Sequence, residues 1–410
     1  LMNIVKISLE TQKELEEKSR LLLTSVGEGI FGVGNDGLVH FINPAALEML
    51  QYDESDILGH KIHPIIHHSK VDGSDYPVEQ CPMFHAFSQG KSSQINNEVL
   101  WRKDGTSFPV EYKAKPIYQG TQISGSVVTF GDITERKNAN DLMIKQQFEI
   151  NKINQHTRES IVYALLIQKA LLPDDKQFNG YFKDAFVIWK PKDIVGGDIY
   201  LADALNEHEI IIMVIDCAGH GVPGAFVSML VKAVETQIMA EIKAKTLQPN
   251  PALILEYFNK SIKTMLKQEK GSKSNAGFDG GILYYNSLTK ECKYAGAKTD
   301  LYVIENDKLT IINGDRKNVG FIRTKIDQKY TEHTVTLQKN SKLYLSTDGI
   351  FDQEGENKSR YGLDKFEEFL VEINNLSFKE QSALIMESFN HFKKDLDQTD
   401  DVTVIGINFK

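Results

Sequence analysis

At 410 residues, with 41% hydrophobic and 25% charged residues, the chain is too long for one ordinary core and too apolar to stay disordered, so two or three globular domains are expected. A formal net charge of −9 offers no basic stripe for nucleic-acid phosphates. Three cysteines set far apart, Cys81, Cys217 and Cys292, point to neither a disulfide framework nor a zinc cluster and fit a reducing cytoplasm; no run of about 18 apolar residues marks a membrane span, and no basic-then-apolar start marks secretion.

Residues 1–17 alternate charged and apolar positions and predict a helix that leads into the first domain. From Gly27 the text changes to short strands with turn punctuation. Ile30-Phe-Gly-Val33 and Val39-His-Phe-Ile42 flank the hairpin signal Asn35-Asp-Gly37, and Asn43-Pro opens a helix with Asn43 as its cap. Arg102-Lys-Asp-Gly-Thr106 predicts a second hairpin, and Gly125-Ser-Val-Val-Thr-Phe130 a last strand that closes on Asp132-Ile-Thr-Glu-Arg136. This order, with the turn, the Asn-Pro-Ala helix start and the Asp-Ile-Thr-Glu-Arg exit, resembles a PAS sensor domain over residues 18–136. That resemblance leaves the sensor's ligand unknown. His60, His63, His67 and His68 are candidates, weighed against the plainer reading that they are surface or turn histidines. The Asn-Cys-Arg-Phe motif of flavin-adduct relatives is absent, and Cys81 stands in Gln-Cys-Pro.

Residues 137–172 carry no strand text. Leu142, Ile144, Phe148, Ile150, Ile153, Ile161 and Leu165 among Lys, Glu and Gln predict a helical linker, either one half of a dimeric coiled coil or a single amphipathic helix. The polar stretch Asn154–Ser160 interrupts its register.

The region 173–410 is organised around acidic strand ends. Val195-Gly-Gly-Asp198 is followed by the apolar run Ile210–Ile215, which ends in Asp216-Cys-Ala-Gly-His-Gly221; Leu343-Tyr-Leu-Ser-Thr-Asp348-Gly is a second strand ending in aspartate; and Asp400-Asp401-Val-Thr403 starts the final one. Carboxylates gathered in this way suit hard divalent cations. Hairpin-linked strands with grouped helices predict an α+β layered domain.

The four motifs, in this order, resemble metal-dependent serine/threonine phosphatases of the PPM (phosphatase 2C-like) class, most nearly the SpoIIE-type branch. The resemblance implies a β-sandwich flanked by helices and two Mn²⁺ or Mg²⁺ ions held by Asp198, Asp216, Asp348, Asp400 and the main-chain carbonyl of Cys217. It assigns Asp198 and Asp216 to catalysis by two-metal hydroxide attack on a phosphoserine or phosphothreonine. It further implies a small partner-switching regulator, a STAS-type anti-anti-sigma factor or similar, as substrate, and a sensor-regulated homodimer. His220 reads either as a general acid or as a turn residue, and Asp401 either as an outer residue or as a strand cap. Asp279 receives no ligand role. Two departures from relatives stand out: Leu201 where many have aspartate, and Lys298 after Ala295-Gly-Ala where some place an acidic residue or histidine. The alternative function is an inactive PAS-linked scaffold that binds the same partner without hydrolysis.

Overall fold

The computed structural model describes residues 14, 15, 17, 18, 20–178 and 180–409. It divides into two compact units, the first ending at Lys152 and the second beginning at Ile153. The helix expected over 1–17 lies mostly outside the described residues.

The first unit is built on one antiparallel sheet. Its strands β1 (Gly29–Gly34), β2 (Val39–Ile42), β3 (Ser93–Trp101), β4 (Ser107–Gln119) and β5 (Gln122–Asp132) lie in the order β2-β1-β5-β4-β3. Both expected hairpins form, each closed by an aspartate that accepts a backbone N–H two residues on: Asp36 from Leu38 and Asp104 from Thr106. Asn43 caps helix α1 (Pro44–Leu50) by accepting from the Ala46 amide, and it also accepts from Ile30 and donates to the Glu28 carbonyl. One buried side chain therefore fixes the helix start against the sheet. Phe31, Phe108, Tyr112 and Phe130 fill the core with Leu50, Ile57 and Met83, the last from helix α2 (Pro82–Gln89).

Helix α3 runs unbroken from Thr134 to Leu171, through the polar stretch that interrupted the sequence register. Its apolar side chains are left largely to solvent by a single chain: Leu142 is 57% exposed, Phe148 71% and Ile153 65%.

The second unit stacks two five-stranded antiparallel sheets. The first contains β7 (Ile199–Ala204), β8 (Glu209–Cys217), β9 (Phe278–Asn286), β10 (Cys292–Ala297) and β13 (His333–Thr334), in the order β13-β10-β9-β8-β7. The second contains β6 (Asp184–Lys190), β11 (Leu301–Glu305), β12 (Lys308–Ile312), β14 (Lys342–Ser346) and β15 (Val402–Asn408), in the order β12-β11-β14-β15-β6. Period-two alternation gives each sheet two apolar faces. The inner faces meet through Ile210, Ile212, Val214 and Leu283 against Val303, Leu343, Leu345, Ile405 and Ile407. Ile211, Met213 and Ile215 face the other way, under helices α4 (Gly221–Lys243) and α5 (Pro251–Met265). Phe186, Tyr344 and Val404 pack under α6 (Leu363–Glu372) and α7 (Phe378–Lys393). The result is the helix-flanked β-sandwich of the expected α+β class.

Candidate active site

Registers, rather than loops, bring the acidic motifs together. Asp198 directly precedes β7 and Asp216 is next to last in β8; since Ile199 pairs with Ile215, both aspartates emerge at the same end of the first sheet. On the second sheet Ser346 pairs with Val404, so Asp348 just after β14 and Asp400 just before β15 share an end as well. Two hydroxyls tie these ends across the sandwich. Asp198 Oδ2 accepts from Thr347 Oγ1 and from Thr403 Oγ1, both at 2.7 Å, and the Asp198 carbonyl accepts from Trp189 Nε1 at 3.0 Å. Asp198 is only 2% exposed.

The loop that carries Asp198 is held from two further directions. Asp401, buried, accepts from the Lys192 amide at 2.7 Å and from the Gly197 amide at 2.6 Å, so its carboxylate is committed to the loop. Gln168, in the last turn of α3 and 1% exposed, donates to the Gly196 carbonyl at 2.7 Å and to Ser228 Oγ at 3.0 Å, and accepts from the Gly196 amide at 3.2 Å. A Cβ on Gly197 would stand 2.4 Å from the Gly219 carbonyl and 2.7 Å from that of Cys217, so only glycine lets this loop lie against the turn after Asp216. The same approach places the Cys217 carbonyl at the junction of the two motifs.

Charge is concentrated and unrelieved here. Burial, followed by the charges of Asp198, Asp348, Asp400 and Asp279, pushes the Asp216 carboxyl well above the usual range. Burial also raises Asp198; Asp401 and Asp400 add to the effect, and the hydroxyls of Thr403 and Thr347 oppose it. Asp348 reaches solvent at the rim, yet partial desolvation and then Asp352 and Asp400 raise it to about 6. Asp279 had no assigned role in the sequence, but it stands opposite Asp216 in the β8–β9 register, with Lys298 Nζ 3.6 Å from its Oδ2. His220 is exposed, and its Nδ1 lies 3.1 Å from Asp193 Oδ2 at the start of α4.

This set fits divalent cations. Every donor is oxygen, and the carboxylates raise one another's pKa by a repulsion that positive charge would relieve.

The family model described as Stage II sporulation protein E (SpoIIE) matches residues 206–410, half of the chain. The chain belongs to the SpoIIE family. A PAS-domain model matches residues 27–135, so this SpoIIE-type protein serine/threonine phosphatase carries a PAS region at its N-terminal end. It is similar to the SiaA-PP2C domain of Pseudomonas aeruginosa, with 30% identity, coverage of 63% of this chain and 99% of that one, and a TM-score of 0.56. The PP2C phosphatase domain of SpoIIE from Bacillus subtilis, with a fragment of its regulatory domain, is 14% identical over 74% of this chain and 70% of that one, at a TM-score of 0.43. A comparison with curated proteins gives no match.

In the PAS unit the four candidate histidines separate into two pairs. His60 and His68 are exposed, the first bonded to the Leu58 carbonyl and the second stacked on Trp101, as the surface reading holds. His63 and His67 instead turn toward Cys81, a correction to that reading. His67 Nδ1 lies 3.2 Å from Cys81 Sγ, and His67 Nε2 lies 2.9 Å from Glu98 Oε2. Burial alone would raise the Cys81 thiol, but the neighbouring imidazoles of His63 and His67 outweigh it and bring the thiol down to about 6. Burial likewise opposes the His67 imidazolium, and Cys81 and Glu98 nevertheless raise it to about 9.

Proposed function

We propose that this SpoIIE-family phosphatase is metal-dependent, with Asp198, Asp216, Asp348 and Asp400 and the Cys217 carbonyl holding two Mn²⁺ or Mg²⁺ ions, and that Asp198 and Asp216 are its catalytic carboxylates. The observation that carries the reading is the pair of hydroxyl bonds from Thr347 and Thr403 to one oxygen of Asp198, which draws the acidic ends of both sheets into one mouth. When bound, the cations supply Lewis acidity toward the phosphoryl oxygens and lower the pKa of the attacking water. The chain's own part is positioning. Thr347 and Thr403 hold Asp198 through Oδ2, so that Oδ1 would remain for a cation, Asp401 and Gln168 fix the glycine loop, and Lys298 offsets part of the charge on Asp279.

The substrate in this reading is a small regulatory phosphoprotein of the partner-switching kind, STAS-type or similar, bearing phosphoserine or phosphothreonine. The chain works as a homodimer, with α3 of one copy covering the exposed Leu142, Phe148 and Ile153 of another and carrying the sensor's state to the effector. That Gln168 ends this helix on the Gly196 backbone supports the last step.

Hydrolysis of a generic phosphate ester with Mn²⁺, and its loss in EDTA, tests the chemistry; full activity in EDTA would sink it, and no activity with any divalent cation would favour the scaffold alternative. An Asp216→Asn protein should retain phosphorylated partner from a lysate, and recovery of nucleotides or lipids alone would overturn the substrate class.

A further inference from the structure

The PAS unit contains a second set of metal-type ligands that owes nothing to the phosphatase site. His63 and His67 project from one short helical turn, residues 63–66 and the residue after it, and Cys81 immediately precedes α2. One ligand atom from each lies within 4.8 Å of the other two. His67 and Cys81 are each 1% exposed.

The tautomer of His63 follows from its surroundings. Its Nε2 is 2.8 Å from the Tyr76 carbonyl, which can only accept, so the proton sits on Nε2 and the Nδ1 lone pair is free. That Nδ1 is buried with no hydrogen-bond partner, an unsatisfied acceptor directed at the cluster. His67 is oriented in the same fashion, with Nε2 at Glu98 and Nδ1 at the sulfur. Glu98 is fixed in turn by the hydroxyls of Tyr112 at 2.7 Å and Tyr76 at 2.9 Å. A histidine that offers one ring nitrogen inward while the other is held by a carbonyl or carboxylate is the usual arrangement of a metal ligand.

We propose that His63 Nδ1, His67 Nδ1 and Cys81 Sγ form a binding site for one borderline-soft divalent ion of the Zn²⁺ type in the PAS unit. Two imidazoles and a thiolate favour such an ion over Mg²⁺ or Ca²⁺. Bonds of about 2.0–2.3 Å give a tetrahedral edge of about 3.3–3.8 Å, and the His67–Cys81 separation of 3.2 Å is already close to that. A cavity of about 330 Å³ lined by His63, Cys81, Met83, Phe84 and Phe87 borders the cluster, leaving a fourth position for water or a small exogenous donor. On binding, the proton shared between Cys81 and His67 is released to solvent, so sulfur binds as thiolate and both imidazoles as neutral donors. The spacing alone gave no sign of this, since His63 and Cys81 are separated by the whole Ser69–Gln80 segment.

The test is titration of the chelator-dialysed full chain with Co²⁺, read by its near-ultraviolet sulfur-to-cobalt charge-transfer band. The carboxylate site binds through oxygen and contributes no such band, so failure here and failure of the phosphatase reading are distinguishable. The expected result is a band that saturates at one ion per chain, is displaced by Zn²⁺ and disappears in Cys81→Ser. His63→Gln and His67→Gln each weaken binding by about 10²-fold, and Tyr112→Phe, which loosens Glu98, by about 10-fold. Circular dichroism and retained phosphatase activity establish that the variants fold. A wild-type chain with no band, or a band that survives in Cys81→Ser and so arises from Cys217 or Cys292, overturns the site.

Discussion

Around His67 in the PAS unit, charges answer one another: imidazole lies between thiol and carboxylate, and that carboxylate takes two tyrosine hydroxyls. Around Asp216 in the phosphatase unit they do not, because four other aspartates press on a half-buried carboxyl, and Lys298 stands beside Asp279. Both sites are preassembled by rigid elements, yet the first pairs opposite charges whereas the second gathers charges of one sign. The difference teaches where each can be perturbed. Removing one member of the paired network leaves its partners unsatisfied, while removing one aspartate from the crowded site relieves the others.

The largest expected effect follows directly. Asp216→Asn should lower kcat by at least ~10²-fold with Mn²⁺ present, because a ligand and part of the transition-state clamp are lost. Measured in chelator, the same variant should melt about 2–4 °C higher than the parent, the shift that ~1 kcal/mol of relieved repulsion gives a domain of this size. Calorimetry decides between the two electrostatic pictures: a metal-free melting temperature that falls would mean that the carboxylates are not in conflict.

A smaller effect is expected at Gln168. Gln168→Ala leaves the Gly196 N–H and carbonyl without the side chain that pairs them, and a loop displaced by a fraction of an ångström should cost about 10-fold in kcat, given that ~1 Å can cost ~10²-fold. KM for a small phosphate ester should change little, since Gln168 acts behind the loop. Inserting three or four residues near Gln155 should alter activity in a phase-dependent way if α3 transmits rotation. Unchanged kcat in both experiments would reduce the helix to a tether.

Much of this was legible in the sequence because it is local. Asp36 and Asp104 close hairpins within two residues, Asn43 caps the helix that follows it, and Asp216 ends an apolar run whose length and branching mark a buried strand. What stayed hidden depends on pairing across the chain. Thr347 and Thr403 lie inside quoted motifs, but their role exists only once two sheets bring them to Asp198. Asp279 gains its place from the β8–β9 register, and Gln168 reads as one more polar residue of a linker until its helix ends on Gly196. Cys81 and His67, fourteen residues apart, match no metal-ligand spacing and meet only through the fold.

The finest test concerns an acid that, like Asp216, is raised first by desolvation but lacks its crowd of aspartates. Glu235 on α4 is buried, bonded to Lys232 Nζ at 2.8 Å and close to Asp203, and its Oε1 has no hydrogen-bond partner. Burial first, then Asp203, pushes its pKa up to about 8, against the opposing Lys232. The sign follows from proton counting. Below about 4.5 the group is protonated whether the chain is folded or not; between there and about 8 the folded chain keeps a proton that the unfolded chain releases, so stability falls as pH rises through that window. Glu235→Gln removes the dependence. Its melting temperature should match the parent's near the acid end of the window and exceed it by a few degrees at the alkaline end, at about 2–4 °C per kcal/mol. Because one acid is raised chiefly by burial and the other by burial with a crowd of charges, added Mn²⁺ should stabilise the parent and Glu235→Gln by equal amounts while stabilising Asp216→Asn less. An equal response in all three would dissolve the distinction between a merely buried carboxylate and one gathered for a cation.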